Sequence, residues 1–276
     1  MTLIVASLAS GSSGNALLVR DGQTALLIDC GLPLRTLEPL LCYAGVTPAH
    51  LNAIVLTHEH GDHTTGAGTL ARRYGVPLVC TPGTRAALND KHSRGITIEE
   101  LPAGQQARLG TIEVQSFAVS HDAAEPVGYT VTAAGATIGL AVDLGSWDDG
   151  LIARLRPADL LIIEANHCRE QLLASAYPWA ICQRIIGPRG HLDNQQCGEL
   201  ITAICGDGRP RAIRLAHLSD QANNAQRALK SVRAVLQASN LHHLPMAVLP
   251  RQAARTHKHM PIWSSDSLLR QLDMFG

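Results

Sequence analysis

Apolar and polar residues alternate along the chain in short runs. They predict a strand-rich first half and a second half in which helices and strands take turns. Residues 3–8 read as a first strand, followed by a loop of small residues, Ser10-Gly11-Ser12-Ser13-Gly14-Asn15. Short strands are expected at 16–19 and 25–28 around a turn at Asp21-Gly22. After Pro33, the residues Leu34, Leu37, Leu40 and Leu41 recur at helical spacing until Gly45 stops the helix. A helix is expected over 69–74 and strands over 77–80, 112–119, 127–131 and 137–142. Further on, 160–164 and 212–216 are mostly apolar runs of the kind buried strands make, and 194–204 and 225–236 carry helical periodicity. Residues 250–263 read as a loose surface passage before a short terminal helix. The chain is therefore expected to be a single domain over 1–276 with 250–276 as a peripheral tail. Strand-rich halves that each carry helices predict an α/β fold of two sheets packed face to face with helices outside, a four-layer αββα sandwich.

Composition adds bounds to this picture. The chain has 276 residues, 46% hydrophobic and 17% charged, which supplies a sizeable core and fits one compact domain. Its formal net charge is zero, so any affinity for nucleic acid must be local rather than a property of the whole surface. No window approaches the ~20 apolar residues of a membrane span, and residues 1–9 lack the basic start and the length of a signal peptide. The seven cysteines form no CxxC pair and are expected as reduced, small apolar groups. These features predict a soluble cytoplasmic protein with no membrane partner.

The chemistry is concentrated at Thr57-His58-Glu59-His60-Gly61-Asp62-His63, directly after the apolar run Ala53-Ile54-Val55-Leu56. A regular strand or helix could not aim three imidazoles and a carboxylate at one point, but a chain turning at a strand end can. These donor types suit Zn, Mn or Fe, and so many at such close spacing imply two adjacent divalent ions. Three more candidate ligands follow apolar strands in the same manner: His121 after Phe117-Ala118-Val119-Ser120, Asp143 after Ile138 to Val142, and His217 after Ile213 to Ala216.

With these residues in this order, the chain resembles the metallo-β-lactamase superfamily over roughly residues 7–237. The resemblance implies that His58, His60 and His121 hold one metal and that Asp62, His63 and His217 hold the second. Asp143 and a hydroxide would bridge them, and Asp29 would buttress the metal loop. Four segments narrow the resemblance to the YycJ/WalJ branch: the loop 10–15, Glu164-Ala165-Asn166-His167, Gly190-His191-Leu192-Asp193-Asn194 and His217-Leu218-Ser219. That branch consists of phosphodiesterase-type enzymes described as DNA exonucleases. It often carries Asp after the Asn-His pair, where this chain has Cys168.

Several features select among the reactions this family performs. Asp rather than Cys at 143 argues against a true β-lactamase, and His rather than a carboxylate at 60 argues against a di-iron oxygen reductase. His191 fits phosphodiester cleavage, where a departing alkoxide needs a proton or a stabilising cation. Asp62 is expected to orient the nucleophile as well as to ligate. The expected activity is therefore dinuclear metal-dependent phosphodiester hydrolysis at a DNA end. A small phosphodiester, or a carboxyl ester, thioester or lactone, is the alternative substrate, and a metal-stabilised binding module is the non-enzymatic one. Glu164 and His167 could orient a ligand or form a structural pair, and Arg184 and Arg189 could contact phosphate or lie on a solvated face. The loop 10–15 is expected to be a tight connection, with backbone N–H groups offered to a phosphate as the alternative. His242, His243, His257 and His259 are expected on the surface.

Overall fold

The structure is a computed structural model that describes residues 2–209, 211–251 and 260–266. Strands β1 (Ile4–Ala9), β2 (Ala16–Arg20) and β3 (Ala25–Ile28) form an antiparallel meander. Helix α1 (Leu34–Tyr43) and a 3₁₀ turn lead to β4 (Ala53–Val55), which is parallel to β3. Helices α2 (Gly61–Thr64) and α3 (Ala67–Tyr74) precede β5 (Leu78–Cys80). Helices α4 (Pro82–Ala87) and α5 (Asp90–Ser93) precede β6 (Ile98–Glu100), and both of these strands continue the parallel arrangement.

The chain then builds a second sheet. It opens with four antiparallel strands, β7 (Gln106–Leu109), β8 (Ile112–Ala118), β9 (Val127–Ala133) and β10 (Ala136–Ala141). Helix α6 (Asp149–Leu155) crosses to β11 (Leu160–Glu164), and helices α7 (Arg169–Leu173), α8 (Trp179–Ile186) and α9 (Asn194–Cys205) lead to β12 (Ala212–Ala216). Helix α10 (Ala225–Ala238) leads to β13 (Met246–Val248). From β10 to β13 the strands are parallel. The last described strand, β14 (Ile262–Ser264), returns to the first sheet beside β1.

Strand periodicity explains the layers. Leu17, Val19, Leu26 and Ile28 face Val114, Tyr129, Val131, Ile138 and Leu140 between the sheets. Their neighbours Leu18, Leu27 and Ile54 point the other way and are covered by Leu37, Leu40 and Leu41 of α1 and Leu70 of α3. On the far side, Leu161, Ile163, Ile213 and Leu215 lie under Leu155, Leu200, Ile201 and Val232. Sheets covered on both faces need apolar residues at consecutive positions, which is why these strands read as runs and not as alternations. Each such Leu or Ile contributes roughly 1.5–3 kcal/mol when fully buried. The result is the expected four-layer sandwich.

The described C-terminal residues differ from the expected loose passage. Trp263 is 4% exposed and sits in the core between the sheets, held there by the pairing of β14 with β1. A three-residue strand is too short to announce itself by periodicity. The expected terminal helix falls mainly on 267–276, outside the described residues, as do His257 and His259. Among the described residues no helix is long and apolar enough to cross a membrane. Cys30, Cys80, Cys182, Cys197 and Cys205 are buried free thiols.

Candidate metal centre

The strand registers bring the carboxyl ends of β3, β4, β8, β10, β11 and β12 to one edge of the sandwich. The edge outside the carboxyl ends of parallel strands is where open α/β sheets place their ligands. Asp29, the loop 57–63, His121, Asp143, Asn166 and His217 all follow these ends. Three of them leave the sheet through the left-handed region, Asp29 at φ 58°, Asp143 at φ 52° and His217 at φ 53°. That conformation costs a non-glycine residue on the order of 1–3 kcal/mol and is characteristic of functional sites. It ends the extended backbone abruptly, so the side chain is carried off the edge and not into the core.

The side chains converge. Nε2 of His58 and Nδ1 of His60 are 3.0 Å apart, and Nδ1 of His60 is 3.3 Å from Nε2 of His121. Donors bound tetrahedrally at ~2.0–2.1 Å would stand ~3.3 Å apart, close to both separations from His60, and the three nitrogens all lie within 4.8 Å of one another. Asp62 Oδ2 lies 3.4 Å from both His63 Nε2 and His217 Nε2, which groups a second set of donors. Asp143 stands between the sets. Its Oδ2 is 2.8 Å from His63 Nε2 and 4.0 Å from His58 Nε2, while its Oδ1 is 3.2 Å from His217 Nδ1 and 3.9 Å from His121 Nε2. That Oδ2 is buried, and its neighbour His63 Nε2 can donate to it only when that nitrogen carries a proton. With Nε2 unprotonated the oxygen has no donor, which is costly for a buried carboxylate unless a cation completes it. All seven residues singled out from the sequence as ligands are thus in one cluster, and the donor chemistry fits divalent metal.

Asp29 braces this cluster from behind. Its Oδ2 accepts from His63 Nδ1 at 2.8 Å and its Oδ1 from the Thr57 amide at 2.8 Å, which fixes the His63 ring with Nε2 toward Asp143. The small-residue loop braces it from the side. The Asn15 amide donates to the Asp62 carbonyl at 2.8 Å, and the His217 amide donates to Ser10 Oγ at 2.9 Å. Gly31 is required here, because a Cβ at that position would lie 1.7 Å from the Asp62 carbonyl oxygen.

Glu164, left open by the sequence, is fully buried and organises two histidines at once. One carboxylate oxygen lies 2.8 Å from His191 Nδ1 and 2.8 Å from His217 Nδ1, and the other accepts the amides of Leu144 and Leu192. Its role depends on residues far from it in sequence, and no local motif announces that. His191 is 3.3 Å from Asp143 through the same Nδ1, so Nε2 is left for the cavity that His191 lines. His167 does not join the cluster. It is buried with Nδ1 unpartnered, and burial presses it down to about 4.

Charge follows from this packing. Burial opposes the charged form of His191, but Glu164 and Asp143 hold it above the ordinary imidazole range. Burial likewise works against His217, yet Asp143, Asp62 and Glu164 carry it up to about 10. His58 has the opposite balance, with burial and the neighbouring His63 pressing it well below the usual range. Without metal, the carboxylates hold protons on part of the cluster, and a divalent ion must displace them.

A cavity of about 260 Å³ opens over the cluster, lined by His60, Asp62, His121, Asp143, His191 and His217 on one side. Arg184 reaches this cavity and pairs with Asp122, whereas both Nε and Nη2 of Arg189 donate to the His121 carbonyl at 3.1 Å, which braces the loop that carries this ligand.

Comparison with known proteins agrees with this geometry. Residues 24–218 match the β-lactamase superfamily domain. The chain is 36% identical over 220 residues to the exodeoxyribonuclease WalJ of Streptococcus pneumoniae, covering 78% of this chain and 81% of that protein. It is 35% identical over 239 residues to the exodeoxyribonuclease YycJ of Bacillus anthracis, covering 86% and 90%. The fold also matches the metallo-β-lactamase fold protein YhfI of Bacillus subtilis with a TM-score of 0.69 at 18% identity, over 96% of this chain and 99% of that one. The chain belongs to the metallo-β-lactamase superfamily, in the branch that contains WalJ and YycJ.

Proposed function

We propose that this protein is a metal-dependent exonuclease that hydrolyses phosphodiester bonds at a DNA end in the cytoplasm. The observation that carries the reading is His191, held by Glu164 at 2.8 Å beside Asp143 in the cavity over the donor cluster. In this reading His58, His60 and His121 hold one divalent ion, Asp62, His63 and His217 hold a second, and Asp143 is shared between them. Zn and Mn suit these donors, as does Fe. Bound divalent ions acidify a water and neutralise the non-bridging phosphate oxygens.

The chain's own residues do the rest. Asp62 reaches the cavity from the loop 57–63 and orients the attacking water. His191 keeps its Nδ1 proton on Glu164 and presents Nε2 to the leaving sugar oxygen, to which it delivers a proton. Glu164 keeps the imidazole charged until then and fixes its ring. Hydrolysis of a thioester or an aryl carboxyl ester needs less of this, because its thiolate or phenolate leaves without a proton.

The test compares wild type and His191→Ala on linear DNA and on an aryl carboxyl ester, at equal metal content. The reading expects turnover of DNA to fall by roughly 10²–10⁴-fold, the usual contribution of a positioned general acid. DNA turnover unchanged by the substitution refutes the role given to His191.

A further inference from the structure

One wall of the cavity takes no part in the hydrolysis described above. Helix α8 and the residues just before it supply Tyr177, Ile181, Arg184 and Ile185 to that wall. Ile181, Arg184 and Ile185 are spaced to share one face of the helix. Ile185 and Cys182 anchor the helix against Leu172 and Ala222. Ile181 is 37% exposed and is not needed for that anchoring. Of the exposed large apolar residues among those described, Leu173 at the end of α7 and Trp179 and Ile181 of α8 lie close together in the chain, while Tyr43 and Ile262 lie elsewhere; such a concentration marks a contact surface. Tyr177 is half-buried, packs against the cluster around Leu172 and Cys182 and also lines the cavity. Arg184 is held by Asp122 through Nε and Nη2, which leaves Nη1 for a further acceptor.

A flat ring, an aliphatic side chain and a guanidinium beside a phosphodiester-cleaving centre match a base and its phosphate. Aromatic side chains hold unpaired bases by their faces, whatever the sequence, while cationic groups take the backbone. A base inside a duplex has its faces covered by its neighbours. The cavity of about 260 Å³ is also small beside the roughly 300–1,000 Å³ of pockets for drug-sized ligands, which suits one nucleotide and not a duplex end. We propose that the α8 wall is the subsite for the unpaired terminal nucleotide of a DNA strand, with the base against Tyr177 and Ile181 and the phosphate beside Arg184. This rests on the nuclease reading above and adds that the enzyme grips a strand end by its base.

The test removes the base from the substrate and the ring from the protein in turn. The metal-loaded protein is assayed on 5′-phosphorylated single-stranded oligonucleotides whose terminal nucleotides carry or lack a base. Wild type is expected to show a KM about tenfold lower for the base-bearing ends, as stacking of one base provides. Tyr177→Ala should raise KM on those ends to the value for the base-free ends, with the loss in KM and not in kcat, and Tyr177→Phe should restore it. Equal KM values for the two substrates in wild type, with DNA still degraded, overturn the subsite and leave the nuclease reading standing. Absence of any DNA hydrolysis by metal-loaded wild type overturns both.

Discussion

Substituting Glu164 by Gln tests the organisation of the site with little change in shape. The buried carboxylate has one oxygen facing the two imidazole Nδ1 atoms and the other facing the amides of Leu144 and Leu192. All four partners donate. Glutamine offers one acceptor and one NH2 group, so whichever way it is turned, a donor meets two donors. Leaving a buried donor unsatisfied costs about 1–3 kcal/mol, so two such donors cost roughly 2–6 kcal/mol of stability. Loss of a partner that orients a ligand typically costs 10–100-fold in metal affinity or activity. Urea unfolding of metal-free wild type and Glu164→Gln should show the first effect, and turnover at verified metal content the second. The pH dependence has a definite sign. Burial acts to raise Glu164, but His191 and His217 hold it down, from 4.5 to about 2. The stability it contributes is therefore complete above the unfolded value and is lost as pH falls toward 2. The gap between wild type and variant should narrow on acidification below about 4.5. A variant within about 0.5 kcal/mol of wild type and within about twofold in turnover would refute the role assigned to Glu164.

Two further outcomes follow from the geometry. Asp29→Asn leaves one acceptor oxygen for two donors; with that oxygen kept on the Thr57 amide, the new NH2 group faces His63 Nδ1 and drives the ring proton to Nε2, where it blocks the lone pair facing Asp143. Metal affinity, measured by competition with a chromophoric chelator, should weaken about 10–100-fold, and unchanged affinity would contradict this bracing. His167 is buried and held neutral down to about 4, so its folded value lies below its unfolded value of 6.5. The stability it contributes is complete above 6.5 and is lost as pH falls toward 4, by about 3 kcal/mol in all. His167→Gln should flatten the acid limb of the unfolding free energy between these limits, and an unaltered slope would exclude His167 as its source.

Much of this arrangement was legible in the sequence wherever apolar burial repeats long enough. Strands β11 and β12 are five-residue segments with four apolar positions each, read from sequence with the same bounds the structure gives them. The ligands were legible for a related reason, since His58, His121, Asp143 and His217 each stand just past the end of an apolar strand, with His60, Asp62 and His63 in the loop that His58 opens, and the strand pairing brings those ends to one edge. What escaped was short or depended on distant partners. Strands β13 and β14 have three residues each, and Trp263 is buried only because β14 finds β1. Helices α7 and α8 are five and eight residues long, pack on a small satellite cluster around Leu172 and Cys182 and leave apolar residues exposed, so neither stands out as a long buried stripe. Glu164 ends a strand and the sequence left it open between orienting a ligand and forming a structural pair; the choice is made only by His191 and His217, which converge on it from distant segments.

The central claim is that this donor cluster, loaded with divalent metal, cleaves DNA from an end. It is tested most directly by incubating the purified protein with 5′-phosphorylated linear DNA in the presence of Mn or Zn, beside a chelated control and a closed circular DNA. The account predicts metal-dependent release of nucleotides from the linear DNA alone. No release from either DNA, with metal shown bound to the protein, would contradict it.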